Sequence, residues 1–139
     1  MSDCTDTVEQ KEARCSAKVI EESSNPSNMG PMSEPDAHGI IHGCCGDTME
    51  IYLQLNGDRI EEATFATDGR ESAVACGSML TKMLRGMPLE EAGKITSQDL
   101  IAALDGLPKA KAHCANLTLN TLRQAIDNCH AGGSKEPGG

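Results

Sequence analysis

Aromatic residues are almost missing from this chain: among 139 residues there is one tyrosine, Tyr52, one phenylalanine, Phe65, and no tryptophan. A core must then be filled by Leu, Ile, Val, Met, Ala and Cys, and it will be modest in size. Positive charge is also scarce. Twelve Lys and Arg stand against 21 Asp and Glu, a formal net charge of -9, which would repel a phosphate backbone and argues against nucleic acid as a partner. No stretch approaches the roughly 20 apolar residues of a membrane helix, so no membrane partner is expected. The opening M-S-D-C-T-D-T-V-E-Q is acidic and has no apolar h-region, which leads us to expect a soluble, cytoplasmic protein. Paired C-x-x-C spacing is absent too, and with it the signature of a closed structural zinc site.

The length suits one domain. Residues 1–14 and 131–139 read as flexible ends, the latter because G-G-S-K-E-P-G-G is linker chemistry. Residues 13–22 have short helical character with Val19 and Ile20 as apolar contacts. From Ser23 to Gly46 the text is dense in Pro, Gly, Ser and Asn and reads as a long loop. T-M-E-I-Y-L-Q-L-N, 48–56, alternates as a half-buried strand with Met49, Ile51, Leu53 and Leu55 on one face. N-G-D turns the chain, and R-I-E-E-A-T-F-A-T, 59–67, returns as a second strand. Helical periods follow over 71–85, from Met87-Pro88-Leu89, over 97–104 with Thr96 and Asp99 spaced as a capping box, and over 112–130. Strands first and helices after predict an α+β layer, with helices on one face of a small antiparallel sheet.

Seven cysteines, an odd number, point to thiols, core fillers or metal ligands rather than a disulfide framework. Cys76 and Cys129 fall on apolar helical stripes and read as core. Cys4 and Cys15 have no clustered partner and receive no role. Two places remain. H-G-C-C-G-D, 42–47, lets Cys45 and Asp47 point the same way along an extended chain. A-H-C, 112–114, puts an imidazole and a thiol at a helix start, where exposed N–H groups and the dipole favour a thiolate. Together they offer S, N and O donors to one metal, or they are thiols that never meet; the residues alone leave both open. A catalytic Cys/His dyad is disfavoured, because neighbours on a helix point about 100° apart. His38, His42 and His130 read as solvated, with His42 the one near a candidate site.

Taken in order, N-P-S-N-M-G (25–30), C-G-D-x-M (45–49), T-x-G-x-x-S-A (67–73) and L-P-x-x-K-x-H-C (107–114) resemble the IscU/NifU-type iron-sulfur cluster assembly scaffold family, over about residues 15–130. The resemblance implies a NifU-like α+β fold, also met in SufE-type proteins, with about three strands and helices on one face. It implies a non-enzymatic scaffold that receives sulfur from a cysteine desulfurase, assembles a 2Fe-2S cluster and passes it to apo iron-sulfur proteins. The short spacing from Gly86 to His113 leaves no room for the insertion of the SufU branch. Cys45, Asp47, His113 and Cys114 fall on four of the family's five cluster-site positions. The fifth, a cysteine in the family's T-x-G-C-x-S-A, is Arg70 here, and a guanidinium cannot ligate iron.

Three readings follow, in order of preference. The cluster is held by Cys45, Cys114, His113 and Asp47 with Arg70 donating hydrogen bonds. Alternatively the chain is a specialised paralogue that accepts persulfide or binds zinc. Last, Cys44 or Cys76 replaces the missing ligand. L-P-K-A-K, where the family commonly reads L-P-P-V-K, puts Lys109 in place of a proline and counts against a dedicated Hsp70-type chaperone.

Overall fold

A computed structural model describes residues 16–43, 47–69, 71–107 and 109–132, with backbone alone described for residues 110 and 130–132. Its centre is a three-stranded antiparallel sheet, β1 (Ala37–His42), β2 (Thr48–Asn56) and β3 (Arg59–Thr67), in the order β1-β2-β3. β2 and β3 form where alternation predicts them. Met49, Ile51 and Leu53 of β2 and Ala63 and Phe65 of β3 are fully buried on one face. Gln54 pairs with Glu62 but Leu55 pairs with Ile60, so Glu61 is an extra residue. This bulge turns Ile60 onto the buried face, out of step with simple alternation.

β1 corrects the sequence reading, which runs a loop through it. A-H-G-I-I-H alternates with Ala37 and Gly39 buried and Ile40 and His42 exposed, but the run is short and set among Pro and Gly. The glycine that reads as a breaker is what lets the strand pack. A Cβ on Gly39 would stand 2.5 Å from the Thr121 carbonyl oxygen and 2.7 Å from the Ala125 amide nitrogen, so β1 lies almost on a helix backbone.

The helices are α1 (Ala17–Ser24), α2 (Glu71–Leu84), α3 (Leu89–Ala92), α4 (Ser97–Ala103) and α5 (Ala112–Gly132), with a 3-10 turn at Lys109–Lys111 before α5. α2 packs on β3, α5 on β1 and β2, and α1 on α2. α1 begins later than its sequence pattern suggests because Ser16 caps it, its Oγ accepting from the Val19 N–H at 3.1 Å. Val19 is buried as expected, whereas Ile20 is exposed. The capping box of α4 is present on both sides: Thr96 Oγ1 accepts from the Asp99 N–H, and Asp99 Oδ2 from the Thr96 N–H. On α5, Ala115, Leu119, Leu122 and Ile126 are buried, and Cys129 packs partly buried against the core. Among the described residues no helix is long and apolar enough to cross a membrane.

The N-P-S-N-M-G block has a structural task. Residues 28–30 run beside β3, with Phe65 N–H donating to the Asn28 carbonyl at 3.0 Å and Gly30 N–H to the Phe65 carbonyl at 2.7 Å. Asn28 takes a positive φ of 61°, a conformation asparagine tolerates, and its side-chain amide reaches Thr81 Oγ1. The segment covers an otherwise open sheet edge.

Candidate metal centre

Three chain segments meet at the end of the sheet where β1 hands over to β2. The first carries Asp47, just ahead of β2; the second is the turn Asp68-Gly69 after β3; the third is the first turn of α5 with His113 and Cys114. Asp47, His113 and Cys114 each offer one ligand atom, and the three atoms lie within 4.8 Å of one another. No other such cluster of three His, Cys, Asp or Glu side chains occurs among the described residues. Cys114 is buried, and Asp47 and His113 are half-buried, so a thiol sits at the floor with nitrogen and oxygen donors at the mouth.

Local packing explains the convergence. The Gly43 N–H donates to the Asp47 carbonyl at 2.6 Å, closing the β1–β2 connection, and Gly43 rests against Leu117 of α5. Gly43 is thereby held against the helix that supplies Cys114. On the other side Gly69 leaves room for the carboxylate: a Cβ there would stand 3.1 Å from Asp47 Oδ2. Thr118 Oγ1 donates to the Cys114 carbonyl at 2.7 Å, within the first turns of α5.

The geometry revises one expectation. His113 Nε2 stands 3.7 Å from Cys114 Sγ, within reach of a weak sulfur hydrogen bond, although the two are helical neighbours. Just after the 3-10 turn at Lys109–Lys111, the His113 imidazole is turned so that Nε2 faces the thiol of its neighbour. The contact brings both donors to one point, as a shared metal requires.

Cys76 is fully buried on α2 in the hydrophobic core and is not among the three converging donors. Cys4, Cys15, Cys44, Cys45, Arg70 and Pro108 lie outside the described residues, as do the side chain of His130 and the terminal residues 1–15 and 133–139. His42 and His38 belong to β1, not to a loop. His42 Nδ1 lies 2.8 Å from Thr48 Oγ1, apart from the donor cluster. His38 keeps its side chain 39% exposed but also has partners: its ring stacks on Tyr52 at 4.4 Å, and Nε2 contacts Glu50 Oε1 at 3.0 Å. A shallow depression on the sheet's outward face, lined by Thr48, Glu50, Ala66, Thr67 and Asp68, contains none of the three donors. Residue-type reasoning had no signal for Thr67, Asp68 and Gly69 as the frame of the site, because side-chain-to-backbone contacts across the sheet leave no periodic trace.

The family model of the NifU-like N terminal domain matches residues 14–134. The chain belongs to that family. It is 44% identical over 112 residues to the iron-sulfur cluster assembly scaffold protein IscU 1 of Archaeoglobus fulgidus, covering 80% of this chain and 73% of that one. Against the scaffold protein IscU of Aquifex aeolicus it is 40% identical over 112 residues, covering 78% of this chain and 71% of that protein. A NifU-like N-terminal protein from Brucella abortus shares the fold with a TM-score of 0.72 at 15% identity, over 88% of this chain and 98% of that structure. The two IscU relatives carry the names of scaffold proteins.

Proposed function

We propose that this chain is an iron-sulfur cluster assembly scaffold in which Asp47, His113 and Cys114 form the described part of the cluster site. The observation that carries the reading is the meeting of carboxylate, imidazole and thiol within 4.8 Å at the end of the sheet. Such separations suit donors arranged around one metal, since bonds of about 2.0 to 2.3 Å leave neighbouring ligand atoms a few ångströms apart. The cargo is a 2Fe-2S cluster, with Cys45, two positions before Asp47, as the second thiolate. Two thiolates with nitrogen or oxygen donors can hold such a cluster, as mixed ligation in other centres demonstrates.

Sulfur would come from a cysteine desulfurase as persulfide. Attack of the Cys114 or Cys45 thiolate on the outer sulfur forms the new S–S bond and releases the donor cysteine as thiolate, a redox-neutral transfer. Apo iron-sulfur proteins receive the cluster. Arg70, where the family has a cysteine, supplies hydrogen bonds and positive charge to sulfide in place of a bond to iron. Lys109 in L-P-K-A-K makes reliance on an Hsp70-type chaperone doubtful.

The same S, N and O donors favour a second reading, a mononuclear zinc module. Anaerobic reconstitution with iron and sulfide separates the two. The scaffold turns brown with charge-transfer absorption that Cys114→Ser and Cys45→Ser abolish, and Mössbauer spectra show one iron with non-thiolate ligation. A colourless product, together with one zinc and no labile sulfide in the purified protein, overturns the scaffold reading. Arg70→Cys is expected to lengthen cluster lifetime.

A further inference from the structure

The peptide plane that follows Asp47 is held at both edges. Its carbonyl, on Asp47, accepts from the Gly43 N–H at 2.6 Å, and its N–H, on Thr48, donates to Asp68 Oδ1 at 2.7 Å. One residue further on, the Thr48 carbonyl accepts from Thr67 Oγ1 at 2.6 Å, and that same oxygen accepts from the Gly69 N–H at 3.0 Å. Regular pairing of β2 with β3 ends at Met49 opposite Thr67. Beyond it, the side chains of Thr67 and Asp68 replace the ladder. The two strands can then diverge without leaving Thr48 unsatisfied, and the space between them is where the Asp47 carboxylate lies against Gly69.

We infer that Asp68 is a positioning residue for the donor site: by accepting the Thr48 N–H it fixes the peptide after Asp47, and with it the direction in which Asp47 presents oxygen to His113 and Cys114. This rests on the reading of Asp47, His113 and Cys114 as ligands. Asp68 is not among the three converging donors, so its action runs through the backbone. A carboxylate bonded to a backbone N–H at 2.7 Å is a charge-assisted contact that favours one direction of that N–H. Thr67 anchors the other side of Thr48, so Asp68 and Thr67 together grip the first residue of β2.

Two chemical alternatives make different demands. If Asp68 acted by its charge, any neutral replacement would fail. If it acted by hydrogen bonding, asparagine, which keeps the Oδ1 acceptor, would serve. Cobalt(II) titration of the full chain under anaerobic conditions reads this through thiolate-to-cobalt and d–d absorption, and amide exchange of Thr48 by NMR reads the hydrogen bond itself. Asp47→Ala must first weaken cobalt binding; binding indifferent to Asp47 would sink the ligand reading, and this inference with it. Given that dependence, Asp68→Ala is expected to speed Thr48 exchange, weaken cobalt binding about tenfold and shift the d–d bands, while Asp68→Asn stays within about threefold of the parent. Where Asp68→Ala does not fold, Asp68→Glu, which keeps the charge but moves the acceptor by a methylene, is expected to show the same weakening. Unchanged cobalt affinity in Asp68→Ala despite faster Thr48 exchange would overturn the inference, and so would an Asp68→Asn protein as weak as Asp68→Ala.

Discussion

The carboxylate of Asp47 rests against the bare α-carbon of Gly69, across the gap where β2 and β3 diverge: a Cβ at residue 69 would stand 3.1 Å from Asp47 Oδ2 and 2.6 Å from the Ala73 Cβ. Ala73 is fixed in the first turn of α2 and fully packed, so the carboxylate is the softer neighbour. Gly69→Ala is therefore expected to turn Asp47 away from His113 and Cys114. Metal affinity should fall by about tenfold or more, while the overpacking itself costs about 1–3 kcal/mol. Metal titration alongside urea unfolding checks this; a loss of stability with unchanged affinity would show that Asp47 is not held by Gly69.

How much of this was legible beforehand differs from element to element, for physical reasons. β2 and β3 announce themselves because one face of each is buried and the other is not, and that contrast writes a period of two. β1 hides because its buried positions are Ala37 and Gly39, small residues that admit the close approach of α5 and are easily read as loop. The donors were legible as residue types and through motif order. Their meeting point had no signal beyond the resemblance, since the bonds that frame it, Thr67 Oγ1 to the Thr48 carbonyl and the Thr48 N–H to Asp68 Oδ1, join residues 19 and 20 positions apart without any periodic pattern. The expectation that His113 and Cys114 diverge failed, since His113 Nε2 stands 3.7 Å from Cys114 Sγ.

Glu22 links α1 to α2 from a buried position. Ser78 Oγ donates to its Oε1 and Lys82 Nζ to its Oε2, each at 2.5 Å. Burial alone would raise its pKa, but the hydrogen bonds from Lys82 and Ser78 and the charges of Lys82 and Lys18 together outweigh it, leaving the carboxyl below its ordinary 4.5. A carboxyl depressed by folding contributes stability that is complete above the unfolded value and is lost as pH falls through the folded one. Glu22→Gln is expected to cost about 1–3 kcal/mol at neutral pH and to flatten the loss of stability below pH 4.5. Urea unfolding of both proteins at neutral and acid pH measures it; parallel acid limbs would remove Glu22 from the account.

Neighbouring positions on β1 should differ sharply. Gly39→Ala drives a methyl group into the backbone of α5 at Thr121 and Ala125, and a helix backbone in a packed core cannot step aside. The expected cost is about 2 kcal/mol or more. Ile40 faces outward and is 41% exposed, so Ile40→Thr should change stability by about 0.5 kcal/mol or less. Equal effects at the two positions would mean that β1 does not dock on α5 in this register.

Tyr52 is the only tyrosine and there is no tryptophan, so the ultraviolet absorbance of its phenolate can be followed without interference. Its hydroxyl donates to Glu50 Oε1 at 2.7 Å, the same oxygen that His38 Nε2 contacts, while the His38 ring lies over the phenol. Burial first, then the hydrogen bond to Glu50 and the repulsion of its charge, push the phenol from 10.0 up to about 12. A folded pKa above the unfolded value means that the folded protein holds the proton more tightly. The contribution to stability is thus complete below pH 10.0 and disappears as pH rises toward about 12. Spectrophotometric titration should find a midpoint near 12 in the parent and a lower one in Glu50→Gln, which keeps an acceptor but removes the charge. A midpoint near 10 in both proteins would mean that the His38, Glu50 and Tyr52 contacts on the outward face are not held in solution.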